Sequence, residues 1–259
     1  LLDKSDTEND DIVQAIRFDN VLTAKLLRAC NSPYFGFSEP VSSVDQAVLV
    51  LGHQQILHIV LTLAFGSSMT VPLPAYAVES NELWQHSLTT AMAAEVVASG
   101  SLETNVETSV AFTAGLLHDF GKLVLGQVIN EEQQTIIRSR LSDTGLPRVM
   151  VEREILGTDH SEVGAYLLKS WNLPDEVVEA VANHHQPTLE PRPLLSAIIH
   201  VANDAAHIAT QAAALNIPPA TPINDPVAAS LGITNDRLEQ MIVEVRDSAE
   251  SVGHFMAMA

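Results

Sequence analysis

The chain has 259 residues, 46% of them hydrophobic but only 5% aromatic, with a formal net charge of −19 and a pI near 4.7. That length gives ample material for a core, and a core of Leu, Val, Ile and Ala suits close-packed helices better than a sandwich rich in aromatic and β-branched residues. The negative field repels phosphate backbones and anionic headgroups alike, which sets nucleic acid and membrane surfaces aside as partners.

From Asp10 to Gly66 the apolar positions recur at three and four: Ile12, Val13, Ile16, then Leu22, Leu26, Leu27, then Val48, Leu51, and Ile56, Ile59, Val60, Leu63. This spacing predicts a set of short helices. Asp19 and Ser43 read as caps, and Asn31-Ser32-Pro33 and Ser38-Glu39-Pro40 as breaks. Cys30, the one cysteine, has no internal disulfide partner and lies in an apolar stretch, so it reads as a buried thiol in a reducing cytoplasm. The best apolar run, Ile56 to Phe65, is short for a membrane span and contains His58, and no basic-then-apolar leader opens the chain. A cytoplasmic location is therefore expected. The first residue is Leu1 and not Met, which leaves room for an upstream domain. Pro72-Leu73-Pro74 marks a joint between this part and the remainder of the chain.

Beyond it, Glu79 and Glu82 suit a helix start near Asn81, and that helix carries His86 to about Ser99. One helix is predicted from Thr108 to Val128, with His118 and Lys122 on one face and Asp119 a step round. Asp159 reads as the cap of a helix over Glu162 to Trp171, and Pro174-Asp175-Glu176 as the start of another that closes at His184-His185. Asp204 falls within a helix over Leu194 to Ala214, with His200 one turn before it and His207 one turn after. Pro218, Pro219, Pro222 and Pro226 precede a last amphipathic helix through Leu238, Met241, Ile242, Val245 and Val252, which reads as packing or an interface.

Five of the ten histidines lie in segments that share an order: Trp84-Gln85-His86-Ser87, Leu117-His118-Asp119-Phe120-Gly121-Lys122, Asp159-His160, His184-His185, and then Asn203-Asp204 with its carboxylate. An adjacent His-Asp pair is useful to a metal site because the imidazole binds one ion while the carboxylate bridges two, and distant imidazoles complete each sphere. The intervals of about 20 to 40 residues are too long for a zinc-finger clip and suit one helix and a connection each. The ligands must then converge in a helical core. The plainer alternative for His118-Asp119 is a hydrogen-bonded pair in a core without metal, and for Lys122 a solvated surface lysine. His184 and His185 point about 100° apart if helical, so one ligates while its neighbour caps or touches substrate. His200 and His207 read as neighbours of the site or surface groups, and His53, His58 and His254 have no partner pattern.

The order His86, His118-Asp119, His160, His184-His185, Asp204 resembles the HD superfamily of metal-dependent phosphohydrolases, and His118-Asp119-Phe120-Gly121-Lys122 is similar to its commonest core. From about Asp10 to Ala206 the chain resembles the HDOD family of bacterial signalling domains. The residues that carry this are Leu26-Leu27-Arg28-Ala29-Cys30-Asn31-Ser32-Pro33-Tyr34-Phe35-Gly36, Pro40-Val41-Ser42-Ser43-Val44, Gly115-Leu116-Leu117-His118-Asp119, Gly164-Ala165-Tyr166-Leu167-Leu168 and Trp171-Asn172-Leu173-Pro174. After His184-His185 the chain lacks the Glu and Gly-Tyr-Pro pattern of the cyclic di-GMP phosphodiesterase branch, reading Gln186-Pro187-Thr188-Leu189-Glu190-Pro191 instead.

The resemblance implies an all-α fold, an HD-type helical bundle core with an N-terminal lobe of short helices. The expected division is an HDOD domain over 1–215, with the lobe at 1–75 and the metal-site core at 76–215, followed by a C-terminal segment over 216–259. It implies metal ligands at His86, His118, Asp119, His160, His184 or His185, and Asp204. In a two-metal version Asp119 bridges, His86, His118 and Asp204 hold one ion, and His160 with His184 or His185 holds the other. Iron or manganese is expected, with zinc, cobalt and nickel also compatible with mixed His and carboxylate ligands. Two functions are expected on this basis: a signalling output or adaptor module that works with signalling proteins or a fused upstream domain, or a metal-dependent phosphohydrolase on a nucleotide or small phosphoester, with Asp119 and Lys122 serving the chemistry. A di-iron oxygenase is the third. Arg28 and Asn31 are expected to pack and cap the lobe.

Overall fold

The computed structural model describes residues 13–14, 16–32, 35–79, 81–101, 105–187, 193–215 and 226–256, with side chains at all of these but 20, 67, 211–215 and 248–256. Ile12, Pro33, Tyr34, Thr188, Leu189, Glu190, Pro191, Pro218, Pro219 and Pro222 lie outside the described residues, as do the side chains of Val252 and His254. The fold is all-α: among the described residues the sole β feature is an isolated antiparallel bridge, Leu73 with Val78. Two compact units are distinguished, 1–67 with 250–259, and 68–249.

In the first unit Asp19 caps helix α1 (Asn20–Cys30), its carboxylate accepting from the Val21 and Leu22 amides at 2.9 Å each. Arg28 sits in the last turn, where a cation suits the helix dipole. Asn31 ends α1 and ties it to the following loop, donating to the carbonyls of Leu27 and Val41 while accepting from the Val41 amide. Ser43 accepts from the Gln46 amide at the start of helix α2 (Val44–Met69). Leu26, Cys30, Ala47, Ile56 and Ile59 are buried, and burial pushes the Cys30 thiol up to about 11, which leaves it unreactive.

The expectation that no stretch is long enough to span a membrane needs correction. Val44–Gly66 is 23 residues with mean hydropathy 1.7 and passes by length and composition. Gly52, at φ 79° and ψ 162°, kinks the helix within this stretch.

His58 on α2 is buried, and burial lowers its pKa to about 4. Unfolding frees an imidazole that takes up a proton, so stability is expected to fall as pH drops from about 6.5 to about 4, by on the order of 3 kcal/mol. Urea unfolding at several pH values checks this, and His58→Leu flattens the profile.

The second unit is a bundle around a central trio. Helix α3 (Glu82–Gly100) packs on α4 (Thr108–Leu117) and on α10 (Leu194–Leu215). Small residues allow the closest approach: a Cβ at Gly115 would lie 2.8 Å from the Ala91 Cα. The single helix predicted over Thr108 to Val128 is in fact α4 and α5 (Gly121–Val128), separated by a turn at 118–120. The turn keeps right-handed angles at His118 and Phe120 but bonds three residues apart, Phe120 N to Leu117 O and Lys122 N to Asp119 O, which interrupts the α-helical ladder between α4 and α5.

Asn130 and Gln133 form a capping box for α6 (Glu131–Thr144), and glycines at positive φ end α6 at Gly145 and α7 (Arg148–Leu156) at Gly157. Helix α8 (His160–Ser170) packs against α5 and α9 (Asp175–Asn183), and α9 against α10. Gly121 and Gly164 make the α5–α8 contact, since a Cβ on Gly121 would overlap the His160 carbonyl oxygen and approach the Gly164 nitrogen at 2.7 Å. Short helix α11 (Pro226–Ser230) precedes α12 (Asn235–Met256), which buries Leu238, Met241, Ile242 and Val245.

Candidate metal centre

The 118–120 turn puts Asp119 at the meeting point of α3, α4, α8 and the end of α9. Its two carboxylate oxygens face different groups. Oδ2 lies 3.5 Å from His86 Nε2, 3.4 Å from His118 Nε2 and 2.5 Å from Lys122 Nζ. Oδ1 lies 3.4 Å from His160 Nε2 and 3.9 Å from His184 Nε2. Two sets of donor atoms result, each within 4.8 Å: His86, His118 and Asp119, and Asp119, His160, His184 and His185. His184 and His185 fall in one set because α9 ends at Asn183 and a turn carries both. The rule that separates adjacent helical side chains does not bind them there.

Each buried imidazole is held from behind. His118 Nδ1 donates to the Gly115 carbonyl, His184 Nδ1 to the Val181 carbonyl and His160 Nδ1 to Glu152, all at 2.7 Å. A proton on Nδ1 leaves the Nε2 lone pair facing Asp119, which is the tautomer a metal ligand needs. His200 Nδ1 donates to the His184 carbonyl at 2.7 Å and fixes the turn itself. The imidazoles also face one another, His86 Nε2 to His118 Nε2 at 3.2 Å and His160 Nε2 to His185 Nε2 at 2.9 Å.

Burial, then the neighbouring His118 ring, lowers the pKa of both His86 and His184 well below the usual histidine value. Burial and His160 lower His185 to about 3. Neutral imidazoles at neutral pH are the form that binds metal. Burial works to raise the Asp119 carboxyl, but His118, Lys122 and His160 together outweigh it and hold the group well below the carboxylate range. Asp119 Oδ1 and His184 Nε2 are buried here without a hydrogen-bond partner among the described residues. Buried polar atoms are rarely left so, and a divalent cation between them satisfies both. The residues fit the ion.

Asp204 is not brought into either set. Its side chain is 44% exposed and lies 3.9 Å from His200 Nε2, on the same helix. His207, read as a neighbour of the site, stacks on His86 with ring centroids 4.4 Å apart. Lys122 does not stand off from the centre but pairs with Asp119, 16% of its side chain exposed.

Sequence reasoning misses Glu152. It is fully buried on α7, and Oε2 accepts from both the His160 backbone amide, at 2.9 Å, and His160 Nδ1. Its spacing carries a signal, since Glu152 follows Val149 by three and so falls on the buried face. Tyr76, buried and edge-on to His160 at 6.4 Å, is missed too. A carboxylate behind an imidazole raises its basicity and fixes its ring, so Glu152→Gln is expected to weaken metal binding by about 10- to 100-fold. Metal titration reads this directly, and exposed Glu154→Gln, on the same helix, leaves the affinity unchanged.

Comparison with known proteins supplies the family context. The sequence profile of the HDOD domain matches residues 1–187. A Marinobacter aquaeolei structure described as a signal transduction protein is 22% identical with a TM-score of 0.77, over 96% of this chain and 55% of that one. A Shewanella amazonensis structure described as a phosphohydrolase is 23% identical with a TM-score of 0.70, over 95% of this chain and 87% of that one. An uncharacterized Treponema pallidum protein is 24% identical over 200 residues, 76% of this chain but 38% of its own length. At these identities the two structural likenesses show the fold alone.

Proposed function

The chain belongs to the HDOD domain family, and from that premise we propose that it is a signalling module built around an HD-type centre that holds divalent metal, with Asp119 shared between two ions. The observation that carries the metal is the pair of buried atoms, Asp119 Oδ1 and His184 Nε2, that have no hydrogen-bond partner among the described residues and are enclosed by the imidazoles of the two donor sets. Asp119 Oδ1, His160, His184 and His185 would hold one ion, and His86, His118 and Asp119 Oδ2 the other. Mixed imidazole and carboxylate donors suit iron or manganese, and zinc, cobalt and nickel also fit. The signalling role is supported by the family and by the likeness to a protein described as working in signal transduction. Partners would be other signalling proteins or a domain fused to this one. Elemental analysis of tag-free protein purified without chelator tests the centre. Two equivalents per chain are expected, and protein that stays metal-free after incubation with each candidate ion would refute it.

The second reading is hydrolysis of a small phosphoester, and the Lys122 ammonium favours it. That cation sits 2.5 Å from Asp119, where it can offset charge on a phosphoryl group. Divalent ions bound here would act as Lewis acids toward phosphoryl oxygens. Turnover of phenyl phosphate and of nucleotides by metal-loaded protein, lost in Lys122→Ala, is the expected result. No turnover on monoesters, diesters or nucleotides with any of the five metals would leave the signalling reading alone.

A further inference from the structure

Beside the centre, a cavity of about 160 Å³ opens between α7, the start of α8 and the end of α9, lined by Val149, Arg153, Ser161, Asn183, His185 and Gln186 among others. His185 belongs both to this cavity and to the candidate metal set. Its volume is close to the roughly 150 Å³ that accommodates a single six-membered ring.

The polar groups around it decide the chemistry. Ser161 is 2% exposed, and its hydroxyl is buried with no hydrogen-bond partner among the described residues. A buried hydroxyl left unpaired costs free energy that a ligand oxygen or nitrogen would recover. Asn183 donates through Nδ2 to the Glu179 carbonyl. Arg153, whose side chain is 54% exposed, is paired through Nε with buried Asp159.

An anion is poorly served here. The amides of Ser161 and Glu162 at the α8 N-terminus already go to Asp159, and that of His160 goes to Glu152. Two buried carboxylates therefore occupy the positions where a helix start would otherwise receive phosphate. Apart from the Arg153 guanidinium, whose charge is matched by Asp159, what is left is a small set of uncharged donors and acceptors around one ring-sized space.

We propose that this cavity is a recognition subsite for the uncharged, hydrogen-bonding, single-ring half of a small phosphoester, a pentose or a one-ring base, whose phosphoryl end meets the His/Asp centre. This rests on the phosphoester reading of that centre. Both ring types share the chemistry the cavity asks for, and separate probes distinguish them.

The test uses the full, metal-loaded chain with D-ribose, uridine and inorganic phosphate as separate probes, following the amide resonances of Ser161, Asn183 and Gln186. Saturable shifts with a neutral probe are expected. Ribose acting alone assigns the pentose, and uridine acting where ribose does not assigns the base. Ser161→Ala removes a hydroxyl that makes no hydrogen bond among the described residues, and Gln186→Ala changes an exposed side chain, so both variants keep the fold. Each should weaken binding by about five- to tenfold, the worth of one hydrogen bond. Absence of saturation with ribose and uridine into the tens of millimolar overturns the proposal. So does binding unaffected by both variants, or phosphate alone shifting these resonances. Because ribose and uridine carry no phosphoester, their binding is independent of turnover. Failure of phenyl phosphate hydrolysis alongside intact uridine binding removes the hydrolase reading and keeps the subsite.

Discussion

Asp119→Asn is expected to leave the helical fold in place and to abolish metal binding at both donor sets together. The two carboxylate oxygens divide the centre, Oδ1 toward His160 and His184 and Oδ2 toward His86 and His118, so a single side chain serves both. An asparagine offers one carbonyl oxygen and an amide that donates instead of accepting. Metal affinity should fall by more than the roughly 100-fold that loss of a supporting hydrogen-bond partner costs. The contrasting variant is His86→Ala, which touches only the set on the Oδ2 side and should retain one equivalent. Elemental analysis beside circular dichroism separates these outcomes. Retention of one equivalent by Asp119→Asn would show that the sets do not share this carboxylate.

Gly121→Ala is expected to cost more than about 3 kcal/mol of stability, above the usual range for overpacking. The added methyl would overlap the His160 carbonyl oxygen and lie 2.7 Å from the Gly164 nitrogen. Both are backbone atoms of one helix and cannot rotate aside, so α5 and α8 must part. His160 starts α8, and its ring would be carried away from Asp119, so metal is lost along with stability. Gly126→Ala is the contrasting variant: the atoms nearest its methyl belong to the Leu73 side chain, the first at 2.9 Å, and a flexible tip can give way. Urea midpoints for the two variants should differ widely, and equal midpoints would remove the α5–α8 contact as an explanation of the motif's glycine.

Residues 119 and 121 stand in a segment whose chemistry is legible in the sequence and whose geometry is not. Apolar spacing and scarce aromatics point to helices, and the recurring His and Asp segments point to Asp119 as a shared group because a carboxylate beside an imidazole can bridge two ions, with a metal-free hydrogen-bonded pair as the alternative. The break at 118–120 is hidden, since Leu117 to Val128 keeps helical spacing and only tertiary closure against α8 makes the turn necessary. Asp204 looks equivalent to the other ligands by order along the chain, yet its position on α10 leaves it half-exposed beside His200. Glu152 is obscured by its surroundings, Arg148-Val149-Met150-Val151-Glu152-Arg153-Glu154, where alternating charge reads as a solvated face. Its burial is decided by where α7 docks, which spacing alone indicates only weakly.

The first turn of a helix ordinarily has amides with no intrahelical acceptor, and such groups exchange their protons with solvent as readily as a loop does. Helix α8 departs from that pattern, because Glu152 takes the amide of His160 and Asp159 those of Ser161 and Glu162. In deuterated buffer these three hydrogens should therefore be retained as long as those in the middle of the helix. The His160 end of α8 would then open only when the whole unit opens, so its isotope label serves as a clock for global unfolding.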